Sequence, residues 1–281
     1  FYIFNPAVFV NSAVWGQVDS FFTLILIAGI ILLTKQRIFL SAVFFTAAVL
    51  MKPQGIIFLP VLFFELVRQK NIVNIIKVGI IAAVTALVII LPFSSNLNVL
   101  WIFKLFSSTL SEYAYASVNA FNFFYLLGAN YTEDSGTLFL FSYHIWGLIF
   151  IVVITAFSWF IYAKGNSSAF ASATALLLIS GVFIFSARMH ERYLFPALAL
   201  SILAYIYLRN RKLLFLAAGF SLTAFSNTYY ILLAGGRSAA PVIYPFIPEI
   251  TSILNILLYL FLSKTMFDIA VKKIDSAAET P

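Results

Sequence analysis

Nine apolar runs separated by short polar connections divide the chain, at residues 19–34, 38–51, 55–67, 78–92, 144–163, 168–186, 193–208, 213–233 and 249–263, after a first apolar stretch over 1–10. A helix needs about 20 residues, with a working range of about 17 to 25, to cross roughly 30 Å of hydrocarbon. Several of these runs are at or below that length. Lipid offers no water to backbone N–H and C=O groups, so such segments are expected to be helical, and the period-2 alternation of a membrane barrel is missing. The pattern therefore predicts an all-α, polytopic bundle of about nine transmembrane helices plus an N-terminal remnant. No polar stretch is long enough to fold separately, so residues 1–281 are expected to form one membrane domain. The long connection over 93–143 is expected outside the membrane on the extracytoplasmic side. Its aromatic-rich centre, EYAYASVNAFNFFYLLG, suits an amphipathic segment in the headgroup layer, and 264–281 reads as a cytoplasmic tail. The chain opens at Phe1 within an apolar run that lacks the charged start of a signal peptide, and is expected to continue a longer one.

Composition supports the same class, with 63% apolar and 10% charged residues. The formal charge of +7 does not point to nucleic acid, because the excess lies in short connections rather than in a basic stripe among aromatics. Of the 17 basic residues, twelve fall in one set of connections: Lys35, Arg37, Arg68, Lys70, Lys77, Lys164, Arg209, Arg211, Lys212, Lys264, Lys272 and Lys273. By the positive-inside rule these face the cytoplasm, and Lys52, Lys104, Arg188, Arg192 and Arg237 lie on the other side. That sorting requires residues 38–67 to form a hairpin turning at Lys52-Pro53, since a single crossing would reverse everything downstream. The absence of cysteine excludes disulfides and thiolate chemistry.

On this map four polar strings share the outer face: NSAVWGQVDS, MKPQ, NAFN and MHER. In the first, Gly16 allows close backbone approach, Gln17 offers donors and an acceptor, and Asp19 sets a carboxylate where a span begins. Asp19 with Ser20 could equally be an N-cap satisfying free amides. Lys52 could be a lysine snorkelling at the interface, but Pro53 and Gln54 open the backbone around it as an anion site would require. Arg188, His190, Glu191 and Arg192 crowd four ionisable groups between two apolar spans, where unused charge is costly. Arginine can hold a phosphate bidentately and histidine can donate a proton or hydrogen bond. With two histidines and no repeated ligand spacing, no metal is expected. Asn130-Tyr131-Thr132 forms a glycosylation sequon.

In order along the chain, NPAVFVNSAVWGQVDS, LMKPQGIIFLP, NAFNFFYLLG and SARMHERYLFPALAL resemble the bacterial relatives of the GPI-anchor second mannosyltransferase, within the GT-C class of polytopic glycosyltransferases, from Asn5 to about Leu200. The resemblance implies an integral-membrane enzyme that moves a sugar, often mannose, from a polyprenyl-phosphate carrier to a glycan, lipid or protein acceptor. The site would face away from the cytosol, across a bacterial plasma membrane or, in a eukaryote, the ER membrane. It assigns Trp15, Gly16, Gln17 and Asp19 to the first signature, Lys52, Pro53 and Gln54 to the second, Asn119 and Asn122 to the third, and His190, Glu191 and Arg192 to the fourth. The family's catalytic carboxylate lies in its first outer loop, expected upstream of Phe1, which leaves Asp19 as a secondary catalytic candidate. His190 and Arg192, with Lys52 and Arg237, are expected to hold the carrier phosphate, while Asp19 and Gln17 contact sugar or acceptor hydroxyls. No cofactor is implied beyond the lipid-linked donor. A polyprenyl-lipid flippase or secondary transporter is the alternative, since it too needs broken helices and an outer cavity.

Overall fold

Helices form at each of the nine apolar runs. The computed structural model describes residues 2–95, 98–234 and 246–278, with side chains to Val271. After a short α1 (Pro6–Phe9) and a π-helical turn at Val10–Val14, α2 (Asp19–Thr34) and α3 (Ile38–Met51) keep the boundaries their polar flanks predict. Pro53–Phe58 forms a 3-10 turn leading into α4 (Leu59–Gln69), followed by α5 (Ile72–Ile90), which Asn71 caps through its Oδ1 to the amides of Val73 and Asn74. The long connection holds α6 (Trp101–Glu112), α7 (Phe123–Leu126) and a minimal hairpin of β1 (Thr137–Leu138) and β2 (Phe141–Ser142), paired antiparallel. Then come α8 (Tyr143–Gly165), α9 (Ala171–Phe185), α10 (Pro196–Leu208), α11 (Lys212–Leu233) and α12 (Phe246–Ala278).

The structure is all-α, with four helical stretches long and apolar enough to cross a membrane: Ile72–Phe93, Tyr143–Gly165, Ser168–Phe185 and Phe246–Val271. That is fewer than the nine crossings expected. At 1.5 Å rise per residue, α2, α3 and α10, with 16, 14 and 13 residues, span only about 24, 21 and 20 Å. The α4 segment is broken at its start, and Ser221, Thr223, Ser226, Asn227 and Thr228 dilute the apolar character of the 22-residue α11.

The bundle is built around α9, where every residue from Ala171 to Ile184 is buried, consistent with a helix that is hydrophobic on all sides. It touches α2, α4, α8, α10 and α12. At the periphery α5 packs on α3 and shows the opposite balance, exposing an apolar stripe of Ile76, Ile80, Val84 and Val88. Such a stripe is stable against hydrocarbon and costly against water.

The expected hairpin at Lys52 is present. A Cβ on Gly55 would meet the backbone of Val49 at 2.7 Å, so a residue without one lets the Pro53–Phe58 turn fold back on α3. The start of α3 and the end of α4 then line one cavity, at the end of the bundle where Gln36 Nε2 donates to Ser168 Oγ at 2.8 Å. Lys35 and Arg37 at the α2–α3 turn and Arg68 and Lys70 at the α4–α5 turn, all among the predicted basic connections, lie at that end. Two other expectations change. The tail over 264–281 is helical to Ala278, because Tyr259, Leu262, Met266 and Ala270 continue a buried stripe at helical spacing. The segment over 116–122 does not lie in a surface layer but is buried throughout, leaving α6, which buries none of its residues, as the exposed amphipathic piece.

Candidate functional site

At the end of the bundle opposite the basic connections, all four polar strings come together. The π-helical turn and Gly16, at φ +71°, turn the chain so that Asp19 opens α2. Asp19 is not a capping residue, since Val18 holds that position and makes no side-chain bond. Its carboxylate, 1% exposed, instead accepts from Lys52 Nζ through Oδ1 and from Asn11 Nδ2 through Oδ2 at 3.2 Å, with Arg192 Nε 3.9 Å from Oδ2. A negative charge in the first turn also suits the helix dipole.

Lys52 ends α3 and turns inward rather than snorkelling. Its ammonium lies 4.8 Å from the centre of the Tyr193 ring and 5.9 Å from that of Phe22. Burial lowers its pKa, an effect the Asp19 carboxylate opposes. Gln54 Nε2 donates to the Tyr193 carbonyl at 2.6 Å, tying the hairpin tip to the turn between α9 and α10. In that turn His190 sits between Tyr113, edge-on at 4.7 Å, and Tyr193 at 5.0 Å. Burial pushes its pKa down to about 3, and the cations Arg192 and Lys52 add to the effect, so the imidazole is neutral at physiological pH. Glu191 is 5% exposed and accepts from Arg192 Nη1 at 2.6 Å. Burial raises its pKa against the pull of Arg192. Asp19, Lys52, Glu191 and Arg192 thus form one continuous ionic cluster.

The third string plays a different part. The Val118 amide donates to the Met189 carbonyl at 3.0 Å, which docks the loop beside His190. Asn119, at φ +55°, is locked by reciprocal bonds with Asn130, whose Oδ1 accepts from the Asn119 amide at 2.8 Å and whose Nδ2 donates to Asn119 Oδ1 at 3.0 Å. The sequon amide is therefore engaged inside the fold. Asn122 caps α7 through the Tyr125 amide and donates to the Phe183 carbonyl at 3.2 Å. The Asn119 carboxamide bonds the side chains of Asn130 and Tyr131, whereas that of Asn122 serves backbone groups, as a loop threaded through an apolar core must satisfy its peptide groups internally. Trp15 packs with Phe121, Tyr230 and Ile231, and Gln17 is half-buried with its backbone N–H donating to the Asn11 carbonyl. Arg237 lies outside the described residues.

Sequence reasoning missed several partners. Asn227 accepts from the Phe121 amide at 2.9 Å and donates to the Asn119 carbonyl at 2.7 Å, and Asn255 donates to the Phe121 carbonyl at 2.8 Å. The single carboxamide in each of α11 and α12 was the available signal. Asp134 holds Arg188 Nε at 2.6 Å and His144 Nδ1 at 3.2 Å, clasping the loop to the starts of α8 and of the MHER turn. Asn11 and Gln54 each keep a buried acceptor oxygen with no partner among the described residues. Rotating either amide would not relieve this, since it would set oxygen against the Asp19 carboxylate or the Tyr193 carbonyl. Among the described residues no group of three His, Asp or Glu side chains is placed to hold a metal ion.

The arrangement can therefore offer an anion two cations and a neutral imidazole, and a hydroxylated ligand two waiting acceptors. No family model matches the chain, and no curated protein or solved structure matches it.

Proposed function

We propose that this chain is a membrane-embedded glycosyltransferase that moves a hexose, mannose being the foremost candidate, from a polyprenyl-phosphate carrier to an acceptor hydroxyl at the Asp19–Lys52–Arg192 end of the bundle. The observation that carries it is the meeting of Asp19, Lys52, Glu191 and Arg192, from three distant segments, in one buried ionic cluster. Glycosyl transfer builds negative charge on the phosphate that leaves C1, and fixed cations in a poorly solvated site stabilise it strongly. Lys52 and Arg192 take that role, and His190, held neutral between two tyrosines, supplies a hydrogen bond rather than a charge. Asp19 already serves Asn11, Lys52 and Arg192, so it positions the cations and meets substrate as a secondary group. Abstraction of the acceptor proton requires a carboxylate, and among the residues of the four motifs Asp19 is the catalytic candidate, a secondary one by the family resemblance.

In this reading the basic end faces the cytoplasm and the cluster faces away from it. The shorter α2, α3, α4 and α10, together with α11, complete crossings packed against α9 or one another. The test uses the complete protein in lipid nanodiscs with a polyprenyl-phosphate hexose and a hydroxyl acceptor, measuring release of polyprenyl phosphate. Release that disappears in the Lys52→Met and Arg192→Gln variants supports the proposal. Intact donor that crosses the bilayer in reconstituted vesicles, with no release, would assign the chain to lipid transport instead.

A further inference from the structure

Across the bundle from that cluster, a cavity of about 480 Å³ lies between the α2–α3 and α4–α5 turns. Gln36, Arg37, Gln69 and Asn74 give it a polar side, and Phe39 and Leu40 an apolar one. The carboxamides are fixed by their neighbours: Gln36 Nε2 donates to Ser168 Oγ at 2.8 Å, Asn74 Nδ2 to Gln69 Oε1 at 3.0 Å, and Gln69 Nε2 to Glu65 Oε1 at 3.0 Å. Each of those nitrogens carries a second N–H beyond the one used. Glu65, the nearby carboxylate, is fully buried and also accepts from Nε and Nη2 of Arg68 and from the Tyr162 hydroxyl. Arg37 is exposed, and no carboxylate among the described residues pairs with it.

The lining is thus rich in donors and carries an uncompensated positive charge, which selects an anion with several oxygen acceptors. Its other side is hydrocarbon, with Phe39 38% and Leu40 49% exposed beside the apolar outer stripe of α5. A free phosphate would use the donors and leave that apolar side uncovered, whereas a phospholipid uses both. We propose that this cavity binds the headgroup of an anionic phospholipid, with Arg37 on the phosphate, the carboxamides on the remaining headgroup oxygens, and acyl chains along Phe39 and Leu40. Basic pockets between membrane helices are suited to such headgroups. The site stands apart from the motif residues and does not depend on glycosyl transfer.

The experiment is native mass spectrometry of the complete protein in neutral detergent, titrated separately with phosphatidylglycerol, phosphatidylcholine and inorganic phosphate. Phosphatidylglycerol should be retained about tenfold better than phosphatidylcholine, and Arg37→Gln should remove that preference, as expected for loss of a charge-assisted bidentate contact. Arg37→Lys should retain part of it, and the exposed position lets each variant fold. Equal retention of the two lipids, or undiminished phosphatidylglycerol binding in Arg37→Gln, would overturn the proposal. So would displacement of bound lipid by inorganic phosphate, which would make the cavity a soluble-anion site.

Discussion

The two ends of the bundle each bury a carboxylate in apolar surroundings and treat it differently. At the basic end Glu65 is wholly buried and accepts from Arg68 at 2.8 and 2.7 Å, Gln69 at 3.0 Å and Tyr162 at 2.5 Å. Every donor comes from α4 itself or from the adjoining α8, and the two carboxylate oxygens are saturated. At the other end Asp19 draws its partners from three separate segments, and the amides flanking it, Asn11 and Gln54, keep buried oxygens that no group among the described residues satisfies. Burial of charge alone does not mark a working site in a membrane protein. A saturated local network fastens helices, whereas a network assembled from afar and left partly unsatisfied has capacity for a ligand.

The contrast can be broken most directly at Lys52. Replacing it with methionine keeps much of the apolar stem and removes the charge proposed to face the leaving phosphate, so kcat for polyprenyl phosphate release should fall about 10²- to 10³-fold. A loss below threefold in properly folded protein would remove Lys52 from the mechanism. Glu65→Leu should act on the opposite quantity, lowering unfolding free energy by about 2 to 3 kcal/mol because Arg68, which can reach water, and the buried Tyr162 hydroxyl lose their partner. Turnover per folded molecule should stay within twofold. Denaturant titration in detergent beside the release assay distinguishes the two, and equal effects of both variants on activity would erase the distinction drawn between the ends.

A smaller effect concerns acid. His190 in the folded protein titrates near 3, below its ordinary value of 6.5, so between those values the unfolded chain binds a proton that the folded chain does not. Stability contributed by the neutral imidazole is therefore present above about pH 6.5 and is lost progressively as pH falls toward 3, with a slope of at most about 1.4 kcal/mol per pH unit. The His190→Gln variant should show a flatter decline between pH 6.5 and 5 than the wild-type protein. Parallel declines would mean that other groups govern acid sensitivity and that the ring is not held neutral by its surroundings.

Much of the fold is legible because polar residues punctuate apolar runs: Asp19 and the Lys35–Arg37 turn bound α2, and Lys52-Pro53 ends α3. The path of 116–122 is not legible, since aromatics and alanines serve an interfacial helix and a buried loop equally well. Its burial is decided by Asn227 and Asn255, more than 100 residues away, which satisfy the Phe121 peptide and the Asn119 carbonyl. The ionic members of the candidate site stand out as clustered charge in an apolar chain. Asn119 and Asn122 looked similar in sequence, yet their amides go to backbone and loop partners. A motif position shows that a polar group is needed and does not show whether ligand or peptide needs it.

That ambiguity makes a pair of asparagines the finest probe of the comparison. Asn227 is spent on both sides, accepting from the Phe121 amide and donating to the Asn119 carbonyl, so Asn227→Leu should cost about 2 to 3 kcal/mol by leaving two buried peptide groups unpaired. Asn11 is equally buried but commits only Nδ2, to a carboxylate that retains Lys52 and has Arg192 nearby. Its Oδ1 gains nothing from folding, and Asn11→Ala should lower stability by about 1 kcal/mol or less. If that oxygen is kept to receive a hydroxyl of the bound sugar, the same change should raise KM for the lipid-linked donor about three- to fivefold, the weight of one neutral hydrogen bond, with kcat nearly unchanged. A stability loss matching that of Asn227→Leu, with KM unmoved, would place Asn11 among the fasteners and leave Gln54 as the open acceptor beside the cluster.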